Sequence, residues 1–139
     1  MAIKNILYAE DNPDDVVIFK IAYRRAGLSA SLKCVDDGED AIAWLKGEGT
    51  YADRQLYPLP DLLMLDLKMP KKSGFDVLDW LRSPESNGSK DVPAIVLSSS
   101  DDPRDIEHAA KLGAAKYFKK TATCQEVIQY LKSLQDGNS

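Results

Sequence analysis

In this chain, groups able to do chemistry stand directly after apolar runs, where a buried strand would stop. Glu10-Asp11 follow I-L-Y-A, Asp66 follows L-L-M-L, Ser98 follows A-I-V-L, and Lys119-Lys120 follow Y-F. Acids, a hydroxyl and an amine are the parts that phosphoryl chemistry needs. An aspartate carboxylate can attack phosphorus and become an acyl phosphate, and the rest of such a transfer is positioning and charge stabilisation on the equatorial oxygens. Should Glu10, Asp11 and Asp66 converge, each pair repels by roughly 3 kcal/mol at ~5 Å and an effective dielectric of ~20. A bound proton or one lysine offsets part of that. A hard divalent cation offsets more and takes oxygen ligands, and Mg2+, which binds through one or two carboxylates and keeps waters or phosphate oxygens, is the natural candidate. On this reading Asp66 is the nucleophile, and Mg2+, Lys120 and Ser98 stabilise charge.

These residues need a scaffold that brings strand ends together. Apolar runs of strand length recur at 3–9, 31–35, 62–65, 94–97 and 115–118, separated by segments of helical spacing. The helical stripes are Val17, Ile18, Ile21, Ala22 and Arg25, stopped by Gly27; then Ala41, Ile42 and Leu45; then Phe75, Leu78 and Leu81. Ile106, Ala109, Ala110 and Gly113 mark a fourth, and Val127, Ile128, Leu131 and Leu134 a fifth, before D-G-N-S. Nearly continuous apolar strands alternating with helices predict an α/β fold, a doubly wound parallel five-stranded sheet covered on both faces. Ligands of such sheets bind beyond the carboxyl ends of the strands, where the strand order reverses. In the common order 2-1-3-4-5 the first and third strands are neighbours, and the three acids fall within one or two strand spacings of ~4.8 Å. Met69-Pro70 turns the chain out of the sheet after Asp66, and Gly74 permits the turn into the next helix.

The 139 residues, 44% hydrophobic and 29% charged, suit a single domain over 1–139 with a real core. A net charge of -4, with Lys and Arg only in short pairs, argues against nucleic acid as a partner. No apolar run approaches the ~18 residues of a membrane span, and M-A-I-K-N-I-L-Y lacks the pattern of a secretory leader. The expected location is cytoplasmic. Cys34 and Cys124 have no CxxC spacing and read as reduced core thiols.

Taken singly, the site residues have plainer explanations. Asp11 or Asp14 could cap the first helix, Ser98 could bond to backbone, Lys120 could be a surface amine and Tyr117 ordinary sheet packing. Their joint placement at one rim favours the chemical reading. His108 reads as solvated, Asp76 and Asp79 as the wet side of the third helix, and Trp44 and Trp80 as helix packing.

The motifs E-D-N-P-D-D, L-D-L-K-M-P-K-K-S-G, V-L-S-S and Y-F-K-K, in this order, resemble those of response-regulator receiver domains of two-component signalling. The likeness covers essentially the whole chain, and it implies the flavodoxin-like, CheY-like (βα)5 fold with strand order 2-1-3-4-5. It also implies that Asp66 accepts a phosphoryl group from a phosphohistidine of a sensor histidine kinase. Mg2+ would be held by Glu10, Asp11, Asp66 and the backbone carbonyl of Lys68. Ser98 would contact the phosphoryl oxygens, Lys120 would pair with them, and Tyr117 would rotate inward as Ser98 moves, changing the partners of the fourth helix, fifth strand and fifth helix. Such a protein is no enzyme beyond its own phosphorylation and dephosphorylation, and with no output domain it acts through other proteins. A narrower likeness, carried by E-D-N-P-D-D-V, E-G-T-Y and L-D-L-K-M-P-K-K-S-G, is to the stand-alone regulators of bacterial phytochrome kinases, which often form homodimers through that same surface.

Three departures stand out. Glu10 replaces the commoner Asp, Ser98 replaces Thr, and Thr121 follows Lys120 where receivers usually carry Pro in a cis peptide. A cis bond before Thr costs ~3 kcal/mol, so the expectation is a trans loop that re-aims Lys120, with Lys119 as a competitor. Other functions fit less well. A flavin module would set its phosphate against E-D-N-P-D-D, a haloacid-dehalogenase-type phosphatase needs an acid where Lys68 stands, and a degenerate receiver has only Thr121 in its favour.

Overall fold

The computed structural model describes residues 3–89 and 91–135, so the D-G-N-S tail lies outside the described residues. Five strands, β1 (Asn5–Ala9), β2 (Ser31–Val35), β3 (Leu62–Leu65), β4 (Ala94–Ser98) and β5 (Lys116–Lys119), alternate with α1 (Pro13–Arg25), α2 (Gly38–Lys46), α3 (Gly74–Arg82), α4 (Pro103–Lys111) and α5 (Gln125–Gln135). All pairings are parallel and the order is β2-β1-β3-β4-β5. This is the CheY-like flavodoxin fold. β2 and β3 coincide with the apolar runs; β1 begins later than its run, and β4 and β5 each end one residue later. Short 3-10 turns at Gly49–Tyr51 and Pro84–Ser89 occupy the two long connections.

Strand alternation divides the interior into two cores. Ile6, Tyr8, Leu62, Met64, Ile95 and Leu97 face α1 and α5 and pack with Phe19, Val127, Ile128 and Leu131. Leu7, Ala9, Leu63, Leu65 and Val96 face the other way, against Ala41, Trp44 and Leu45 of α2, Val77 and Leu78 of α3, and Ala109 of α4. Among the described residues, no helix is long and apolar enough to cross a membrane.

The structure corrects the stripe expected for α1. Val17, Ile18 and Ile21 are 54%, 39% and 44% exposed and only Ala22 of the stripe packs against the core, while Phe19 and Tyr23 are the residues of this helix that are buried in it. Aromatic bulk decides the rotation of this helix: Phe19 packs edge-on against Tyr8 at 5.0 Å and against Tyr23 at 5.9 Å, burying more area than the aliphatic face could. On α4 only Ala109 of the expected stripe is buried, and Ile106 is exposed. Nor does either suggested acid cap α1: Asn12 does, its side-chain oxygen accepting from the Asp14 and Asp15 amides at 2.9 and 3.4 Å.

Other expectations are refined. Asp76 is exposed and also completes a capping box, accepting from the Ser73 amide at 2.8 Å while Ser73 Oγ accepts from the Asp76 amide. Asp79 is simply exposed. His108 is exposed yet stacked on Phe75, with ring centroids 4.3 Å apart. Trp44 is buried, donates to Pro58 O at 2.9 Å and packs with Tyr51 and Tyr57. Trp80 is half-buried against the α2–α4 core, and both cysteines are free thiols, Cys124 buried and Cys34 half-buried.

Candidate functional site

Three backbone hydrogen bonds carry the parallel ladder one step past the strands and so place the site. The Glu10 amide donates to Val35 O at 3.0 Å, the Asp66 amide to Ala9 O at 3.1 Å, and the Lys120 amide to Ser98 O at 2.7 Å. The side-chain alternation therefore continues into these residues. Glu10, Asp66 and Lys120 keep the parity of Tyr8, Met64 and Phe118, toward α1 and α5. Ser98 and Tyr117 have the opposite parity, and Tyr117 packs against the α2–α4 core.

Carboxylate oxygens of Glu10, Asp11 and Asp66 lie within 4.8 Å of one another. Glu10 and Asp66 are buried, and Asp11 is exposed. Two ligand oxygens of one octahedral Mg2+ at ~2.1 Å stand ~3–4 Å apart, so this all-oxygen donor set fits a small hard cation after a slight contraction. The Lys120 ammonium already answers part of the charge. Its Nζ lies 2.5 Å from Glu10 Oε1, 2.8 Å from Asp15 Oδ2 and 3.3 Å from Asp66 Oδ2. Burial pulls the Lys120 ammonium down, but the bonds to Asp15 and Glu10 and the charge of Asp66 more than reverse this, holding it well above the ordinary lysine range.

Glu10 is the strained member of the set. At 1% exposed it is pushed up to about 7, chiefly by burial and further by the charge of Asp66, with the Lys120 hydrogen bond opposing. The Tyr8 hydroxyl donates to Glu10 Oε1 at 3.1 Å and the Asn12 amide to Oε2 at 3.2 Å. Burial and the Glu10 charge drive the Tyr8 phenol far above its usual range, so it remains a donor.

On the other face, the buried Ser98 Oγ accepts from the Ser100 amide at 3.1 Å, and the Tyr117 hydroxyl donates to Ser100 O at 2.8 Å. Ser100 Oγ in turn donates to Asp105 Oδ2 at 2.6 Å, tying this loop to α4. The β3–α3 loop is held closely: a Cβ on Gly74 would stand 2.3 Å from Asp66 O, and one on Gly38 2.2 Å from Lys72 O. Lys68, within this loop, has an exposed side chain.

The departure at Thr121 resolves simply. Among the described residues there is no cis peptide, so Lys120-Thr121 is trans as expected, yet Lys120 still reaches Asp66. Thr121 Oγ1 accepts from the Cys124 amide at 3.1 Å and shapes the turn into α5, with Cys124 at φ 53. Lys119 does not compete, because its Nζ pairs with Asp101 at 3.1 Å on the surface. Sequence reasoning missed Asp15 and Tyr8. Strand alternation could have found Tyr8, two residues before Glu10; nothing local marks Asp15 as a partner of Lys120, 105 residues away.

A doubly wound sheet with clustered acids and a lysine at its switch point defines a signalling receiver, and the chain belongs to the response regulator receiver domain family, whose model matches residues 6–132. It is a receiver domain of a two-component response regulator. Among solved structures, it is similar to the phosphorylated cyanobacterial phytochrome response regulator RcpA, at 34% identity and TM-score 0.79, covering 97% of this chain and 93% of that one. It is also similar to response regulator RPA3017 in red light signaling of R. palustris, at 32% identity and TM-score 0.83 over 94% and 90% of the two chains. Response regulator Rcp1 of Synechocystis sp. is 26% identical over 132 residues, 95% of this chain and 86% of Rcp1. A structure of its Mn(2+)-bound form matches at 27% identity and TM-score 0.77, over 96% and 92% of the two chains.

Proposed function

We propose that Asp66 accepts a phosphoryl group from a phosphohistidine of a sensor histidine kinase, and that the modified domain then changes its protein partners. The observation that carries this reading is the convergence of Glu10, Asp11 and Asp66 within 4.8 Å beside the Lys120 ammonium. An Asp66 carboxylate oxygen attacks phosphorus, the P–N bond breaks, and its electron pair returns to the imidazole nitrogen. Mg2+, held by Glu10, Asp11, Asp66 and the Lys68 backbone carbonyl, would supply charge neutralisation at the phosphoryl oxygens. Mn2+ in the relative Rcp1 supports a divalent cation here. Lys120 pairs with the new phosphoryl oxygens. Ser98 turns its hydroxyl from the Ser100 amide toward them, and Tyr117 then leaves Ser100 O for the space that Ser98 opens.

The kinase partner is proposed to be a phytochrome, on the strength of the relatives RcpA and RPA3017. The chain works as one receiver domain over 1–139 in the cytoplasm. It catalyses only its own phosphorylation and dephosphorylation, and its α4–β5–α5 surface meets a second copy or a target protein. Incubation with acetyl phosphate and Mg2+, read by intact mass, tests the core of this. One phosphoryl adduct is expected on the wild type and none on Asp66→Asn; a wild type without adduct overturns the reading.

A further inference from the structure

Asp15 lies outside the ligand set, yet it makes a shorter contact with Lys120 than Asp66 does, 2.8 against 3.3 Å. We infer that Asp15 is a positioning residue that holds Lys120 in a resting place and releases it when a phosphoryl group occupies Asp66. The inference rests on Asp66 being the phosphoacceptor. Lys120 Nζ donates to Asp15 and Asp66 and stands 2.5 Å from Glu10 Oε1, so three carboxylates surround the three protons of one ammonium. New oxygens on Asp66 stand beyond its carboxylate, and Lys120 reaches them by drawing back from one of its other two acceptors. Glu10 is the poorer one to abandon: its side chain is fully buried, so water cannot take the place of the ammonium there. Asp15 is 32% exposed on the first turn of α1, so water replaces the ammonium there at little cost. Asp66 itself is where the new charge appears. The contact that breaks is Lys120–Asp15, and its free energy is subtracted from the stability of the phosphorylated form.

Removing this restraint should tighten binding of any anion that mimics the phosphoryl group on Asp66. Beryllofluoride with Mg2+ is the probe, titrated by calorimetry into the full chain. Asp15→Asn, which keeps shape and removes charge, should bind it roughly three- to tenfold more tightly than the wild type. A merely structural role would weaken binding. Asp14→Asn separates release of Lys120 from a general loss of negative field, because Asp14 is an exposed acid of the same turn that makes no contact with Lys120. Its affinity should stay within about twofold of the wild type, well below the effect of releasing a direct ion pair. Equal tightening by both substitutions, or none by Asp15→Asn, overturns the inference. A wild type that does not bind the probe instead overturns the phosphoacceptor reading.

Discussion

Tyr8 and Glu10 project from the same side of β1, and the phenol hydroxyl of the first donates to Oε1 of the second across 3.1 Å. The innermost acid of the site is thus held from inside the core rather than from its rim. Tyr8→Phe keeps the ring packed edge-on against Phe19 and deletes only this bond. It should cost about 1–2 kcal/mol, read as a lower urea midpoint. An unchanged midpoint would show that the hydroxyl contributes nothing to holding Glu10.

Glu10 should also make stability depend on pH. Its folded-state value, about 7, lies above its ordinary value of 4.5, so the folded protein holds the extra proton between them. The stability this group contributes is fully present below about 4.5 and is lost as pH rises through about 7. In EDTA, the stability of the wild type relative to Glu10→Gln should fall steadily across that window; a flat difference refutes it. By the same linkage Mg2+ should bind more tightly at pH 8 than at pH 6, with proton release on binding.

Asp11 is exposed and lacks the lysine that serves Glu10 and Asp66. Asp11→Asn should therefore separate two quantities, weakening Mg2+ by at least roughly tenfold while raising the stability of the metal-free domain through relief of repulsion. Calorimetric titration and urea denaturation in EDTA measure the two. Unchanged Mg2+ affinity would count against the acidic cluster as a cation site.

Gly74→Ala probes the loop behind Asp66. The new methyl would meet Asp66 O at 2.3 Å and Leu67 Cα at 2.9 Å, both backbone atoms that cannot swing aside. A loss of about 3 kcal/mol is expected from thermal or urea unfolding, together with slower phosphorylation by acetyl phosphate as Asp66 shifts. Wild-type stability would mean that the loop is far looser than its contacts indicate.

The sheet and its strand ends were legible because period and position carry them: apolar runs mark the strands, and whatever follows them arrives at the rim. The rotation of α1 was not, because a periodic count weighs Val17 and Ile21 like Phe19, whereas packing weighs area. Asp15 was illegible for another reason. In a helix's first turn an acid is explained by the helix dipole, so its contact with a lysine 105 residues away leaves no local trace. Lys120 kept its aim despite Thr121 because its backbone is fixed one residue earlier, on Ser98 O.

Gly38 and Gly74 grip the β3–α3 loop from two helices, each carrying a bare backbone where a methyl would strike a carbonyl of that loop. Lys71 pairs with Asp37 at 3.7 Å and takes φ 66, but Lys68 and Lys72 are exposed and their side chains are free to vary. The path of the chain beneath them is not. Libraries that diversify positions 68 and 72 can therefore alter the surface beside the nucleophile without disturbing it, provided both glycines stay unsubstituted. Evolvability is concentrated in this loop because two vacant positions hold its shape constant.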